Sequence, residues 1–265
     1  MRIPFTQVDA FADAAFGGNP AAVMPLAAWL PDAMLQAIAA ENNLSETAFL
    51  IPADGGEADF ELRWFTPTTE VDLCGHATLA SGHVVLQSEP GRERVTFATR
   101  EAGMLEVARD GLGYVMALPA YPAEPKPLPA ILAALGLDRA VATRWHPSAY
   151  ALVVLDDEAA VRALRPDFSA LAREGDVLTI VTAPGSDTDV VSRVFACGAG
   201  IDEDPVTGSA HCVLTPYWAE RLGRDSFTAR QASARGGWLT CRFDGDRVVL
   251  GGRCVTVIEG VFLLP

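Results

Sequence analysis

The sequence predicts an α+β protein of two similar domains, and three observations carry that prediction. Short runs of alternating apolar and polar residues outnumber helical patterns, a proline-rich stretch falls near mid-chain, and the order of elements before it recurs after it. Length and composition agree. The 265 residues suffice for two domains of ordinary size, and with 50% hydrophobic and 20% charged residues the chain builds a core rather than staying disordered.

Taken in order, "FGGNPAAV" at 16–23 reads as a turn followed by a strand, with Asn19 before Pro20 as turn chemistry. "PDAMLQAIAAENN" places Met34, Leu35, Ile38 and Ala39 at helical spacing, with Pro31 suited to a first turn. Strands "ETAFLIP" and "ADFELRWF" follow, the second alternating Phe60, Leu62 and Trp64 against Glu61 and Arg63. A helix of small residues, "GHATLASGHVVL", precedes strands "RVTFAT", "GMLEVAR" and "LGYVMAL". "LPAYPAEPKPLPA" at 118–130 holds five prolines, which block helix interiors and central strands, so it reads as a linker. Beyond it come strand "AYALVVL", the helical "EAAVRALRPDFSALARE" interrupted at Pro166, and strands "DVLTIVTA" and "DVVSRVF". Helix "VTGSAHCVLTPYWAERL" and strands "FTARQAS", "GWLTCRF" and "RVVLGG" complete the plan. The domains are expected at 1–117, with a C-terminal strand 254–265 added to it, and at 131–253.

A shift of 130 positions tests the repeat. With no gap from about residue 40 to 82, Ala53 falls on Ala183, Gly55 on Gly185, Asp59 on Asp189, Arg63 on Arg193, Phe65 on Phe195, Asp72 on Asp202 and Ala80 on Ala210. The same offset pairs Cys74 with Asp204 and Glu46 with Asp176. Each small-residue helix start offers unpaired N–H groups and partial positive charge, suited to a carboxylate or a developing oxyanion. Two such starts are expected to converge with Glu46 on one cleft, a preferred place for small-molecule sites.

Charge and cysteine usage exclude several classes. The net charge of −14 argues against nucleic acid or an anionic membrane as partner. "MRIPFTQVDAF" has no apolar signal region and no stretch reaches the ~18 apolar residues of a membrane span, so a cytoplasmic protein is expected. Cysteines at 74, 197, 212, 241 and 254, an odd number with no CxxC pair, fit reduced thiols. The only Cys/His neighbours, "CGH" at 74–76 and "HC" at 211–212, lack metal-site spacing, so no metal is expected.

Three motifs bear on chemistry. Glu46 sits at a helix-to-strand corner before an apolar strand, where desolvation raises a carboxyl toward proton-transfer range; its bland reading is a surface charge. His76 falls in the first turn of a helix whose dipole disfavours imidazolium, which predicts a neutral ring, while Cys74 beside it reads by default as a buried inert thiol. "IDEDPVTGSAH" sets Asp204 before a helix start, where it suits the helix dipole and a substrate amino group, and its Gly-Ser-Ala segment leaves a ligand room at the backbone. Neither start, nor "RQASARGG", matches a phosphate loop. His83, His146 and His211 receive no role.

Together, "VDAFADAAFGGNPAAV", "NNLSETAFL", "RWFTPTTEVDLCGHATLASG" and "DEDPVTGSAH" resemble the PhzF family of phenazine-biosynthesis-like proteins, in order and over nearly the whole chain. The resemblance implies the diaminopimelate epimerase-like fold, with two pseudo-symmetric domains each wrapping a mixed, barrel-like sheet around a central helix. It also implies an isomerase with no metal or organic cofactor, acting on a small carboxylate as a homodimer. The family's acid/base glutamate falls on Glu46 beside Ser45, its site histidine on His76 and its aspartate on Asp204. Its helix starts at Gly75 and Ala77, and at Thr207, Gly208, Ser209 and Ala210, would hold the substrate carboxylate, with Asn19 and Cys74 alongside. The namesake enzyme moves a proton on a dihydro-hydroxyanthranilate. It has "AGHP" where this chain has "CGHA", so the chain is more similar to the broad branch of the family and the substrate does not carry over.

Two rivals remain. A cysteine-dependent epimerase needs facing thiols, and the offset supplies only Cys74. A non-catalytic binder on the same fold would keep the pocket without the proton transfer.

Overall fold

A computed structural model describes residues 1–264 of the chain; Pro265, the last residue of the expected C-terminal strand, lies outside the described residues. The chain divides into two compact units. Unit 1 comprises residues 1–117 with the segment from Gly251 onward, and unit 2 comprises residues 118–250.

The elements run β1 Arg2–Ala10, β2 Asn19–Pro25, α1 Asp32–Asn42, β3 Glu46–Pro52, β4 Phe60–Phe65 and β5 Glu70–Val71. Then come α2 Gly75–Ser88, β6 Arg94–Ala98, β7 Met104–Asp110 and β8 Gly113–Pro119. Next are β9 Glu124–Pro125, α3 Pro129–Ala134, β10 Ala142–His146, β11 Tyr150–Val154, α4 Glu158–Ala163 and α5 Phe168–Arg173. The rest are β12 Leu178–Pro184, β13 Val190–Phe195, α6 Gly208–Leu222, β14 Ser226–Gln231, β15 Gly237–Asp244, β16 Arg247–Gly252 and β17 Cys254–Leu263.

Each unit is an α+β assembly with the same ladder. In unit 1, β1 to β7 pair in the alternation antiparallel (β1–β2), parallel (β2–β3), antiparallel (β3–β4), parallel (β4–β6), antiparallel (β6–β7). Unit 2 repeats it through β10–β11, β11–β12, β12–β13, β13–β14 and β14–β15. β17 lies antiparallel to β1 in unit 1.

The central helices explain the composition of the motifs. Every residue of α2 from Gly75 to Leu86 is buried except Val84, so the helix needs mostly small or apolar side chains. Its hydroxyls are satisfied inside the helix, Thr78 Oγ1 donating to Cys74 O at 2.6 Å and Ser81 Oγ to Ala77 O at 2.7 Å. α6 in unit 2 is likewise buried along most of its length. α1 packs Leu35, Ile38 and Ala39 onto Ile3, Met24, Phe49 and Phe65, and ends where Asn43 turns left-handed at φ 49°.

Three expectations need correction. The proline-rich stretch is no linker: it opens unit 2, Glu124–Pro125 pairs with β10, and Pro129 begins α3 at a position where a helix needs no N–H. Arg63 does not face water as its alternation predicts; it is buried, with its charge satisfied by two carboxylates. The gapless repeat fails at the β-hairpin. Thr47 faces Phe65 and Thr179 faces Phe195, so 132 positions relate the first strands and 130 the second. The loop at 53–59 is longer than that at 185–189, which absorbs the difference. Structurally, Glu46 therefore corresponds to Leu178 and not to Asp176. α2 and α6 begin at Gly75 and Gly208, so Cys74 corresponds to Thr207 and Asp204 lies three residues earlier.

Candidate active site

Parallel pairing assembles the first cluster. β2 and β3 run side by side with Ala21 opposite Glu46, so Asn19 and Glu46 open the two strands at one edge. α2 begins beside them, with Cys74 extended at φ −136° as its N-cap residue and His76 in its first turn. Residues far apart in sequence thus meet in unit 1. His76 Nε2 lies 2.9 Å from Glu46 Oε2, with the side chains 6% and 13% exposed. The contact is close but poorly aligned, so neither atom gains a hydrogen-bond partner from it. The other ring nitrogen, Nδ1, lies 3.3 Å from Asn19 Nδ2 and 3.5 Å from Cys74 Sγ. Ser45 Oγ donates to Asn19 Oδ1 at 2.9 Å. Asn19 is fully buried, so its role extends beyond local turn chemistry.

Electrostatics overturn the neutral ring expected from the helix dipole. Burial works to lower the His76 pKa, yet the adjoining Cys74 and Glu46 outweigh it and hold the imidazole well above its ordinary value. Cys74 moves the opposite way from a reactive thiol. Its burial and the Glu46 charge push it up, only partly offset by His76, so it is protonated at neutral pH.

Glu46, Cys74 and His76 are also, among the described residues, a group that could hold a metal ion, their ligand-type atoms lying within 4.8 Å of one another. Local spacing hides this set because Glu46 comes from another strand.

Unit 2 gathers the remaining candidates. Thr207 Oγ1 donates to Asp204 Oδ2, and the Thr207 N–H donates to Gln231 Oε1 at 2.9 Å. Gln231 Nε2 returns to Asp204 O at 2.7 Å and to Thr207 Oγ1 at 3.2 Å. Gly208 and Ala210 are buried in α6, as Gly75 and Ala77 are in α2, so these four offer backbone rather than side chain. Ser209 is half-buried near the Tyr150 hydroxyl, whose pKa burial pushes up to about 12. Tyr150 also adjoins Tyr121 and His146, which stack at 4.7 Å.

Gln231 and Tyr150 escape the sequence reading. For Gln231 a signal exists: Phe227, Ala229 and Gln231 share the buried face of β14, where a polar side chain calls for a partner. The histidines without a role are structural. His83 bonds Tyr114 and Thr256, and His211 Nδ1 donates to Thr207 O at 2.8 Å.

Comparison with known proteins follows the same pattern. A family model described as phenazine biosynthesis-like protein matches residues 8–260. An uncharacterized isomerase of Pseudomonas aeruginosa is 51% identical over 263 residues, covering 98% of both chains. A PhzF-family crystal structure from Enterococcus faecalis superposes with a TM-score of 0.91 at 43% identity, covering 100% of both chains. A hydroxyproline epimerase from Agrobacterium vitis shares the fold at a TM-score of 0.63 and 14% identity, over 98% of this chain and 92% of that one.

Proposed function

The chain belongs to the phenazine biosynthesis-like protein family, whose relatives here carry the name isomerase, and from that premise we propose that Glu46 moves a proton between two carbons of a small carboxylate substrate. The single observation that supports this reading is the buried contact of Glu46 Oε2 with His76 Nε2 at 2.9 Å, with no hydrogen bond to tie down either atom. A carboxylate so placed takes a proton from a substrate C–H and returns it at another carbon. The reaction leaves atoms and charge unchanged overall and is a net isomerisation. His76 steadies the carboxylate while it is charged and shares the proton once it is taken. Ser45, Cys74, Gly75 and Ala77 frame the cluster. Asp204, Thr207, Gly208, Ser209 and Ala210 serve in this proposal as the residues that orient substrate polar groups. A dihydro-hydroxyanthranilate-like ring is the model substrate, and a cytoplasmic homodimer without cofactor belongs to the same proposal.

The geometry gives the thiol-dependent rival little support. Cys74 is held as a thiol, and its counterpart at the start of α6 is Thr207, a hydroxyl that cannot take a second thiol's part. Deuterium uptake tests the reading. With a cyclic unsaturated carboxylate in D₂O, the parent chain exchanges carbon-bound hydrogen, and Glu46→Gln loses ~10²–10⁴-fold in rate with folding intact. Unchanged exchange in that variant overturns it.

A further inference from the structure

A carboxylate, a thiol and an imidazole brought together in unit 1 are the donor set of a borderline-soft metal ion. Magnesium and calcium, which take oxygen ligands, do not match it. We propose that Glu46, Cys74 and His76 form a binding site for a divalent cation of the zinc class, and that a cation held there silences proton transfer by occupying the Glu46 carboxylate. The binding stands on the geometry of the cluster alone. The silencing rests on the proton-transfer reading.

Spacing comes first. One ligand-type atom from each residue lies within 4.8 Å of the other two. Tetrahedral zinc, with bonds of about 2.0–2.3 Å, sets its ligand atoms roughly 3.5 Å apart. Cys74 Sγ lies 3.5 Å from His76 Nδ1, and Glu46 Oε2 lies 2.9 Å from His76 Nε2. An ion uses a single ring nitrogen, so binding draws the third ligand in by side-chain rotation of about an ångström. The state of these atoms points the same way. Glu46 Oε2 and His76 Nε2 are buried without a hydrogen-bond partner, and buried polar atoms left so call for an explanation such as an ion.

Charge also balances. On binding, the Cys74 thiol gives its proton to solvent, and a carboxylate, a thiolate and a neutral imidazole then offset the dication in full. A neutral complex is the form a buried site favours, and the Glu46 and His76 side chains are only 13% and 6% exposed. Three protein ligands leave a fourth position for water or a small anion. A carboxylate bound to a dication is held in its charged form and is a poor base toward a C–H, so the filled site is an inhibited one.

Titrating the metal-free full chain with Co²⁺, the spectroscopic stand-in for zinc, tests the site without any substrate. The parent takes up one Co²⁺ per chain with a thiolate-to-cobalt charge-transfer band in the near ultraviolet, and Zn²⁺ displaces it. Loss of an outer-shell partner alone costs about 10–100-fold in metal affinity, so Cys74→Ser and Glu46→Gln each weaken binding by at least that, and Cys74→Ser abolishes the band. No uptake by the parent, or uptake without the band, overturns the proposal, and neither reading depends on a variant folding. A band that survives in Cys74→Ser overturns it too, since the ion then sits on another thiol. In D₂O, stoichiometric Zn²⁺ lowers deuterium exchange by the parent about 10²-fold or more, and a chelator restores it. Exchange that persists in the zinc-loaded chain overturns the silencing. A chain that shows the band but exchanges no deuterium even when metal-free keeps the metal site and loses the isomerase reading, with the silencing that rests on it.

Discussion

The residue that best shows how burial sets chemistry is histidine, because this chain buries three of its four and treats them in opposite ways. His83 and His211 are pushed down to about 4, in both cases chiefly by burial, with Arg109 adding to the effect on His83. Their folded forms are neutral, so each contributes stability that is complete above the unfolded value near 6.5 and is lost as pH falls toward 4. The span amounts to on the order of 3 kcal/mol each. His76 has the reverse sign. Its raised folded pKa contributes stability below about 6.5 that fades as pH rises through the folded value. We expect urea unfolding to show a steep loss of stability between pH 6.5 and 4, and His211→Gln to flatten that slope. An unchanged slope in the variant would refute the assignment.

At the scale of elements, the two central helices are held by close fit and by paired charges. A methyl group added at Gly82 of α2 would lie 2.4 Å from Val107 Cγ1 and 2.6 Å from Val107 Cβ, on strand β7. Gly82→Ala gains up to ~1 kcal/mol of helix propensity. It also forces the strand away, at a typical cost of ~1–3 kcal/mol, so we expect net destabilisation by denaturant titration and partial recovery with Val107→Ala. The loops leading into both helices are tied by the same device. Arg63 on β4 grips Glu70 through two hydrogen bonds of 2.7 Å, and Arg193 on β13 grips Glu203 through bonds of 2.7 and 2.8 Å. Each guanidinium also lies over a phenylalanine two residues on, at 5.0 Å from Phe65 and 5.1 Å from Phe195. The matched residues were legible in the sequence as Arg63 on Arg193 and Phe65 on Phe195. Their burial was not, because alternation along a strand says nothing about an ion pair arriving from another element.

For the whole molecule, stability rests on buried apolar clusters such as those of α1 in unit 1 and α3 in unit 2, with all five thiols reduced. Cys74, Cys197, Cys212 and Cys241 are buried and Cys254 is half-buried. Burial pushes Cys212 and Cys241 up to about 12 and Cys254 higher still. A thiol reagent at neutral pH should therefore titrate less than one group per native chain within minutes and all five after unfolding, and reductant should leave Tm unchanged. Prompt reaction of several native thiols would contradict this. Among the described residues no helix is long and apolar enough to cross a membrane.

By itself the sequence determined the α+β class, the repeated order of elements and the family, because apolar periodicity and the four motifs are local patterns that a linear reading captures. It also named Asn19, Ser45, Glu46, Cys74 and His76, which the fold gathers in unit 1. Tertiary structure alone decided the rest. Strand register moved the counterpart of Glu46 to Leu178, and the helix starts moved that of Cys74 to Thr207, since loop lengths shift alignments without leaving a periodic trace. The charge preference of His76 was likewise invisible in one dimension. The helix dipole is written in neighbouring residues, but the carboxylate that opposes it comes from another strand.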